Sequence, residues 1–373
     1  MAVRARIGRF VSFFFRSLLW SLNLVLMLYT CLAYWLVWAL PTEHWLAGMI
    51  MITTPLTWVL NFVMVLVWLL LSRPWRSGLS VAVLSVGIVL LGTRTFTWHT
   101  PKKLTGGATP LKVLSYNVQS FGLNNYLERH HSSPRVRRSI NYVLRYDAPV
   151  KCIQELHNST TIADYDVIRR FHKVGYKYSV LLHPEAASVP DGRVGAAIFS
   201  KHPIIQSGRE AFYNVNGIVW ATIKVGDDTV RIINVHLHSM GIRVGRVLRQ
   251  DKMTGVKKET RGVLSALRFG FMERREQVQR VQRHIRESKF PVIVTGDYND
   301  TPYSVAYEQM RRTLPNSFED AGRGFGFTYN RLPRFIRIDH QFHDADLTAL
   351  DFQTINDIKY SDHYPIVGTY QIK

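Results

Sequence analysis

Three long apolar runs in the first hundred residues limit what this part of the chain can fold into. The runs cover residues 17–40, 45–71 and about 79–97, and residues 1–100 contain seven Lys or Arg and one acidic residue, Glu43. A helix needs about 20 residues to cross the ~30 Å hydrocarbon core of a bilayer. A signal peptide could account for one such run but not for three. We therefore predict three transmembrane helices within residues 1–97.

Arginines flanking these runs predict their orientation. Two flanks are basic, the N-terminal one with Arg4, Arg6, Arg9 and Arg16 and the second loop with Arg73 and Arg76. The first loop, residues 41–44, contains no Lys or Arg. Because short cytoplasmic segments carry the excess of Lys and Arg, we expect a multi-pass protein whose residues 101–373 lie outside the cytoplasm.

The composition changes after the third run. Residues 98–110 (WHTPKKLTGGATP) have the Pro, Gly and Thr content of a linker, and residues 111–373 have the mixed composition of a soluble domain. Of the 47 basic and 27 acidic residues in the chain, 40 and 26 lie in residues 101–373, a formal charge of +14. Such a domain favours an anionic partner: phospholipid, nucleic acid or a phosphorylated substrate. The two cysteines, Cys31 and Cys152, indicate no disulfide framework.

The soluble domain repeats one arrangement, a short β-branched strand that ends in polar residues. Two segments, residues 136–147 and 270–288, have helical patterns, and strands outnumber helices. This pattern predicts an α+β fold with two β-sheets packed face to face and helices outside. The polar residues that end or follow these strands should collect at one end of the sandwich: Asn117, Glu155, His236, Asp297, Asn299 and Asp339.

The segment at residues 291–302 (PVIVTGDYNDTP) is the clearest example. Its apolar run stops at Gly296, and Asp297 and Asn299 lie two positions apart, which places them on one face of an extended chain. A carboxylate and an amide there suit a divalent cation, a phosphate or a water to be deprotonated. An ordinary strand-to-turn junction has the same residues for backbone reasons.

Taken as a set, these residues suit phosphate chemistry. Glu155 and Asn117 offer the hard oxygen ligands of Mg²⁺ or Mn²⁺, and the sequence has no His/Cys cluster with zinc spacing. Asp297 could take a proton from water, and His236 and His363 could contact charge that develops on a phosphate. Singly, Asn117 could belong to a turn, Glu155 to a helix cap and His236 to the core.

Seven motifs carry a resemblance to a known family: LSYNV, IQEL, GAAIFSKHPI, INVHLHS, VTGDYNDTP, RID and SDHYPI. In their order and spacing across nearly all of residues 111–373 they resemble the endonuclease/exonuclease/phosphatase superfamily of DNase-I-like, metal-dependent phosphoesterases. The three apolar runs and FEDAGRGFGFTYN resemble membrane-anchored members from Bacteroidetes-type bacteria. The resemblance implies a four-layer α/β/β/α sandwich at the inner membrane of a bacterium, which hydrolyses a phosphate ester by in-line attack of water.

The resemblance also implies where metal and phosphate bind. Glu155 would bind Mg²⁺, or Mn²⁺ in its place, with Asn117 nearby and Asp362 supporting the metal site. Asn299 and His236 would hold phosphate oxygens, as would Asn117. Asn117 and Glu155 end two of the predicted strands, and Asp362 lies in YSDHYPI near the C-terminus.

The chemical roles fall to three further side chains under the same resemblance. Asp297 would orient or deprotonate the attacking water. His363 would stabilise the transition state or protonate the leaving group, with its tautomer set by Asp339. Positioning and charge stabilisation supply most of the catalysis in such chemistry.

Two features leave substrate detail open. After Asp339 the family usually has Tyr and an apolar residue, whereas this chain has His340 and Gln341. We expect His340 to be packed inside the protein or to support the site rather than touch substrate. The basic segment at residues 241–262 is either a solvated loop or a face that contacts anionic lipid.

Two classes of function remain for this chain. The first is a membrane-tethered phosphoesterase, for which a tether slightly favours a lipid substrate in the same plane. Nucleic acid suits the basic domain equally well, although the sequence shows no aromatic-plus-basic module that stacks bases. The second is a non-catalytic, membrane-anchored binding or scaffold protein on the same fold. The sequence indicates no protein partner.

Overall fold

The structure is a computed structural model that describes residues 2–40, 44–106, 109–123, 134–188, 192–239, 253–331 and 335–372. It contains two compact units. Unit 1 comprises Met1–Thr95 with Tyr303–Glu308, and unit 2 comprises Phe96–Pro302 with Gln309–Lys373. Residues 241–252 of the predicted basic segment lie outside the described residues.

Unit 1 is built from four apolar helices: α1 (Ala2–Ala39), α2 (Trp45–Ile52), α3 (Thr54–Leu70) and α4 (Gly78–Thr95). Among the described residues, Phe10–Ala39 and Pro74–Thr95 are long and apolar enough to cross a membrane. α2 and α3 pass the same test together but are bent by 42°. The bend coincides with Pro55 in the first turn of α3, because proline has no N–H to donate to the preceding turn. The unit thus has two candidate spans, or three if the bent pair is one.

Buried polar side chains pair between the helices of unit 1. Asn61 Nδ2 of α3 donates to Thr30 Oγ1 of α1 at 3.0 Å. Ser80 Oγ of α4 donates to Asn23 Oδ1 of α1 at 2.7 Å. Such bonds stabilise helix contacts in an apolar surrounding, where a polar group has no water to bind.

Unit 2 contains two large sheets and one short pair of strands. The six-stranded sheet has the order β12-β13-β2-β3-β5-β4, and the five-stranded sheet has the order β11-β9-β8-β7-β6. β1 pairs with β10. The strands are β1 (Thr97–Trp98), β2 (Leu111–Asn117), β3 (Val150–Asn158), β4 (Tyr178–Leu181), β5 (Gly192–Ser200), β6 (Ile204–Ala211), β7 (Gly217–Val225), β8 (Asp228–His236), β9 (Val292–Asp297), β10 (Arg323–Gly324), β11 (Asp339–His343), β12 (Leu347–Thr354) and β13 (Ile366–Ile372).

The two large sheets pack face to face, with helices on their outer sides. The shared core consists of β-branched and other apolar side chains from both sheets, including Val113, Cys152, Ile198, Val219, Ile232 and Ile293. Helices α5 (Pro134–Arg145) and α6 (Val167–Lys173) cover the six-stranded sheet. Helix α7 (Met253–Arg286) lies against the five-stranded sheet, where the rings of His284 and Trp220 are 6.5 Å apart. The predicted four-layer α+β sandwich is confirmed.

Two short helices follow β9 in the chain. Helix α8 spans Val305–Arg311, and helix α9 spans Ser317–Ala321. The side chain of Asn316 caps α9 by accepting from the N–H groups of Phe318 and Glu319.

Strand directions explain why polar ends gather at one edge. β2 and β3 are parallel, and so are β8 and β9, so the carboxyl ends of each pair lie on the same side. β11 runs antiparallel to β9, and its first residue, Asp339, pairs with the last residue of β9, Asp297. One edge of the sandwich therefore receives side chains from both sheets.

One strand begins later than its sequence suggests. The run FIRIDHQF predicts a strand from Phe335, but β11 starts at Asp339. The N–H groups of Ile338 and Asp339 donate instead to Thr328 Oγ1, at 3.0 and 3.1 Å. A side-chain acceptor has replaced the ladder hydrogen bonds there.

Candidate active site

Asn117 joins two carboxylates at the polar edge of the sandwich. Its Nδ2 donates to Glu155 Oε1 at 3.1 Å and to Asp297 Oδ2 at 3.0 Å. Asn117 and Asp297 are buried, whereas one third of the Glu155 side chain is exposed. The contact spans the two sheets, because β2 and β3 belong to one and β9 to the other. The structure thus brings these three predicted residues together.

His363 lies between two further carboxylates. Its Nδ1 donates to Asp339 Oδ2 at 2.8 Å, and its Nε2 is 3.6 Å from Asp297 Oδ2. Burial lowers the pKa of His363, but the Asp339 and Asp297 carboxylates outweigh it and raise that pKa to about 10. Burial raises the pKa of Asp339 to about 6, against the opposing charge of His363. The pair is therefore an imidazolium and a carboxylate at neutral pH.

His236, the last residue of β8, faces the same carboxylates. Its Nδ1 donates to the carbonyl oxygen of Val215 at 3.3 Å. That bond leaves Nε2 directed at the site, 3.8 Å from Asp297 Oδ2 and 3.9 Å from Glu155 Oε1. His236 is buried, as a core histidine would be, but its second nitrogen points at two acids.

A local irregularity in β3 turns Glu155 toward solvent. The register between β3 and β5 shifts between Ile153 and Leu156, and Glu155 has a φ of 52°. A bulge of this kind changes the direction of one side chain within an otherwise regular strand. It explains why Glu155 is partly exposed although Ile153 and Leu156 are buried.

The turn after β9 orients Asp297 and Asn299. The N–H of Asn299 donates to Asp297 Oδ1 at 2.8 Å, and Asn299 Nδ2 donates to the carbonyl oxygen of Leu237 at 3.0 Å. Gly296 has a φ of 145°, and a Cβ there would lie 1.9 Å from the carbonyl oxygen of Val235. Only glycine fits at position 296. Any larger residue there would move β8 or β9, and with them the adjacent carboxylate of Asp297.

Asp362 reaches the site through a residue that the sequence analysis missed. Gln119 Nε2 donates to Asp362 Oδ2 at 3.0 Å, and the Gln119 N–H donates to Asn117 Oδ1 at 3.0 Å. Gln119 thus connects the C-terminal loop to the end of β2. Its position two residues after Asn117 is the one signal that the sequence offers.

The donor set fits a divalent cation. Four carboxylates, those of Glu155, Asp297, Asp339 and Asp362, gather in the polar edge around the buried His363, and most of the donors are hard oxygens. One ligand atom each from Asp297, Asp339 and His363 lies within 4.8 Å of the others. Glu155 and Asp362, the predicted metal-binding carboxylates, lie outside this group of three, and both are partly exposed.

His340 and Gln341 face away from this edge. His340 Nε2 donates to the carbonyl oxygen of Asp300 at 2.8 Å, and burial lowers the pKa of His340 to about 3. Gln341 lies between the sheets, where its Nε2 donates to Thr295 Oγ1 at 3.2 Å. The place of His340 agrees with the expectation of a packed residue.

A buried pair of side-chain amides, Gln154 and Asn234, lies between the sheets near the site. Gln154 Nε2 donates to Asn234 Oδ1 at 2.6 Å and to Ser115 Oγ at 3.0 Å. Asn234 Nδ2 donates in turn to the carbonyl oxygens of Ile153 and Ala197. This network was not predicted from the sequence, because its residues resemble ordinary polar positions within apolar strands.

Helix α7 contacts the residues that directly follow β8 and β9. Arg274 Nε donates to Asp300 Oδ2 at 2.9 Å, and both side chains are buried. Arg274 Nη1 also donates to the carbonyl oxygen of His238 at 3.3 Å, and Gln277 Oε1 accepts from the His238 N–H at 2.8 Å. These contacts fix the loops next to His236 and Asp297.

Several solved structures are similar to this chain. An endonuclease/exonuclease/phosphatase family protein from Bacteroides thetaiotaomicron is 18% identical, with a TM-score of 0.53 over 72% of this chain and 100% of that one. A mannosyl-6-phosphatase from the same organism is 17% identical, with a TM-score of 0.49 over 70% and 99%. The human nocturnin catalytic domain with bound sulfate is 17% identical, with a TM-score of 0.49 over 71% and 95%. No curated protein matches the sequence.

Family matches cover most of the chain. A domain family of unknown function matches residues 16–94, and the endonuclease/exonuclease/phosphatase family matches residues 114–363. The second match includes the strands that end in Asn117, His236 and Asp297, and it extends to His363. The chain therefore belongs to the endonuclease/exonuclease/phosphatase family and is a phosphoester hydrolase of the metal-dependent type.

Proposed function

We propose that this protein is a membrane-tethered, divalent-metal-dependent phosphoesterase that hydrolyses a phosphodiester or phosphomonoester by in-line attack of water. One observation carries the proposal. Asp297 lies within 4 Å of Asn117, His236 and His363, which come from three other parts of the chain. A carboxylate, hydrogen-bond donors and a fixed positive charge thus surround one small volume.

Each side chain has a separate task in this proposal. Asp297 orients the attacking water and accepts its proton. The His363 imidazolium directs Nε2 at the phosphoryl group, and Asp339 holds Nδ1–H so that the ring keeps this orientation. His236 and Asn299 hold phosphate oxygens.

The metal site in this proposal uses Glu155, with Asn117 and Asp362 beside it. Mg²⁺, or Mn²⁺ in its place, would supply positive charge to the phosphate oxygens when bound. Asn117 Nδ2 already orients the Glu155 carboxylate, and Gln119 orients that of Asp362. Those hydrogen bonds keep the acidic oxygens in place.

The apolar helices support a membrane tether. In this proposal the membrane is a bacterial inner membrane, residues 1–97 are the anchor, residues 98–110 are the linker, and residues 111–373 are the catalytic domain outside the cytoplasm. A tethered enzyme meets a lipid in the same plane at high effective concentration. A lipid head group is therefore slightly favoured as substrate over nucleic acid.

The test uses the full chain in detergent micelles, with Mg²⁺ or with EDTA. Phosphatidyl- and sphingolipids, plasmid DNA, RNA and an artificial phosphodiester serve as substrates. Asp297→Asn and His363→Ala should each lower turnover by about 10²–10⁴-fold, the usual worth of a positioned acid or base. Asp228→Asn and His172→Ala, at exposed positions, are matched controls. Absence of metal-dependent turnover on every substrate would favour a binding protein instead.

A further inference from the structure

Five aromatic side chains form a continuous cluster on unit 2, which we name the aromatic ridge: Phe96, Trp98, Phe325, Phe327 and Phe335. Phe96 stacks on Trp98, with ring centroids 6.4 Å apart, and meets Phe325 edge-on at 5.2 Å. Phe325 stacks on Phe327 at 5.2 Å, and Phe327 meets Phe335 at 5.8 Å. The rings thus run as one chain of contacts.

Much of the aromatic ridge is open to solvent. Trp98 is 75% exposed and Phe335 is 78% exposed, and about half of Phe96 and of Phe325 is exposed. Soluble surfaces rarely expose contiguous apolar patches without a partner. Trp, here Trp98, is enriched at the interface between a membrane and water, and interfacial segments bury Phe side chains in the same region.

Chain connectivity keeps the aromatic ridge close to the end of a candidate span. Phe96 directly follows Thr95, the last residue of α4. An extended chain advances at most ~3.6 Å per residue, so Trp98 can lie no more than about 11 Å from Thr95. If α4 crosses a bilayer, the first two rings of the ridge must lie within the head-group region or at its edge.

The same ridge leads into the candidate active site. Thr97 pairs with Gly324 and Trp98 with Arg323, which joins the segment after α4 to the loop that carries Phe325 and Phe327. The next residue of that loop, Thr328, accepts the N–H of Asp339. The ring of the following residue, Tyr329, lies 5.5 Å from the ring of His363.

We propose that the aromatic ridge inserts into the head-group region of the bilayer that anchors the chain and holds the active-site opening at the membrane surface. This inference rests on the proposed function and deepens it: the substrate is the phosphoester of a membrane lipid. The exposed Arg331, in the loop between Phe327 and Phe335, supplies positive charge for anionic head groups.

Lipid-borne quenchers test the insertion without any catalysis. The full chain with Cys31→Ser is reconstituted in nanodiscs. The second native cysteine, Cys152, is buried and can stay, because the label cannot reach it. Phe335→Cys or Trp98→Cys is then labelled with an environment-sensitive fluorophore. Doxyl groups on the lipids should quench both labels several-fold more than a label on Tyr178→Cys, a position that is 37% exposed in β4. Tyr178 pairs with Ser200, at the end of the six-stranded sheet away from Glu155. Quenching equal to that at position 178 would overturn the proposal.

Substrate choice provides the second measurement. Combined Trp98→Ser and Phe335→Ser should lower turnover of a lipid in vesicles by about tenfold or more, because apolar insertion and the local concentration of substrate are both lost. Turnover of a soluble phosphodiester should stay unchanged, and Tyr178→Ser, which removes an exposed ring far from the site, should change neither. An equal loss on both substrates would contradict the link between ridge and site. Strong quenching without any hydrolysis would reject the phosphoesterase and leave the insertion standing.

Discussion

The charge on His363 depends on two neighbouring carboxylates rather than on the imidazole itself. Burial alone would favour the neutral ring, yet Asp339 and Asp297 raise the pKa of His363 to about 10. Asp339 is buried as well, and its pKa rises to about 6. Within this pair, each charged group keeps the other charged at neutral pH.

The first prediction concerns the pH dependence of stability in EDTA. The pKa of His363 is raised above its ordinary 6.5, so its stabilising contribution is fully present below about pH 6.5 and is lost as the pH rises through about 10. Asp339→Asn removes its main partner. We expect the melting temperatures of wild type and Asp339→Asn to differ most near pH 6.5 and to converge as the pH rises toward 10. A constant difference across this range would contradict the ion pair.

At the scale of elements, the site depends on how helices and strands fix their connecting loops. Helix α7 contacts the residues that follow β8 and β9 through Arg274. At Gly296 the backbone of β9 lies so close to that of β8 that there is no room for a Cβ. The bulge in β3 turns Glu155 outward. Each of these features moves a functional side chain by shaping the backbone that carries it.

The second prediction concerns the buried pair of Arg274 and Asp300. Arg274→Met leaves the Asp300 carboxylate buried without its guanidinium, which typically costs about 3–5 kcal/mol. We expect a clearly lower melting temperature and weaker turnover of the artificial phosphodiester. Arg169→Ala, on the exposed face of α6, removes a charge without this burial and should change little. Equal stability of the two variants would show that the buried pair does not hold the loops.

The third prediction separates steric conflict from backbone strain in Gly296. Gly296→Ala places a Cβ 1.9 Å from the Val235 carbonyl oxygen, so β8 and β9 must move apart at the site. Gly226→Ala is the matched control, because Gly226 also has a positive φ but no atom within 4 Å of the added Cβ. The control should lower the free energy of unfolding by about 1 kcal/mol, because alanine is strained in the left-handed region. We expect Gly296→Ala to lose more stability and most activity, and similar losses in both would point to strain alone.

At the scale of the whole molecule, the chain combines an apolar helical unit with a basic phosphoesterase fold. Unit 1 has two helices that could cross a membrane and a bent pair that could form a third. The number of spans decides on which side the catalytic domain lies, since an odd number carries it across the membrane. The side of the membrane on which the catalytic domain lies determines which substrates can reach it.

The fourth prediction therefore concerns topology. With three spans and a cytoplasmic N-terminus, a reporter fused after Lys373 should lie outside the cytoplasm. We expect activity from a reporter that needs an oxidising compartment and no signal from one that needs the cytoplasm. Fusions after residue 42, expected outside, and after residue 75, expected inside, serve as controls for each crossing. The reverse pattern at Lys373 would indicate two spans or an inverted anchor.

The local pattern of the sequence determined a large part of this protein. Alternating apolar strands that stop at polar residues predicted the four-layer sandwich, and the same stops marked Asn117, Glu155, His236 and Asp297 as site candidates. Apolar runs of sufficient length predicted the helices of unit 1. These features could be predicted because periodicity and strand ends are properties of neighbouring residues.

Other parts of the site were decided by tertiary structure alone. Gln119 meets Asp362 across 243 positions, and Gln154 meets Asn234 across 80. The aromatic ridge joins Phe96 to Phe325 in the same way. Such partners leave no local signature, because the free energy of a buried hydrogen bond or ring contact depends on which strands become neighbours. Only the stacking of the sheets brings those distant positions together.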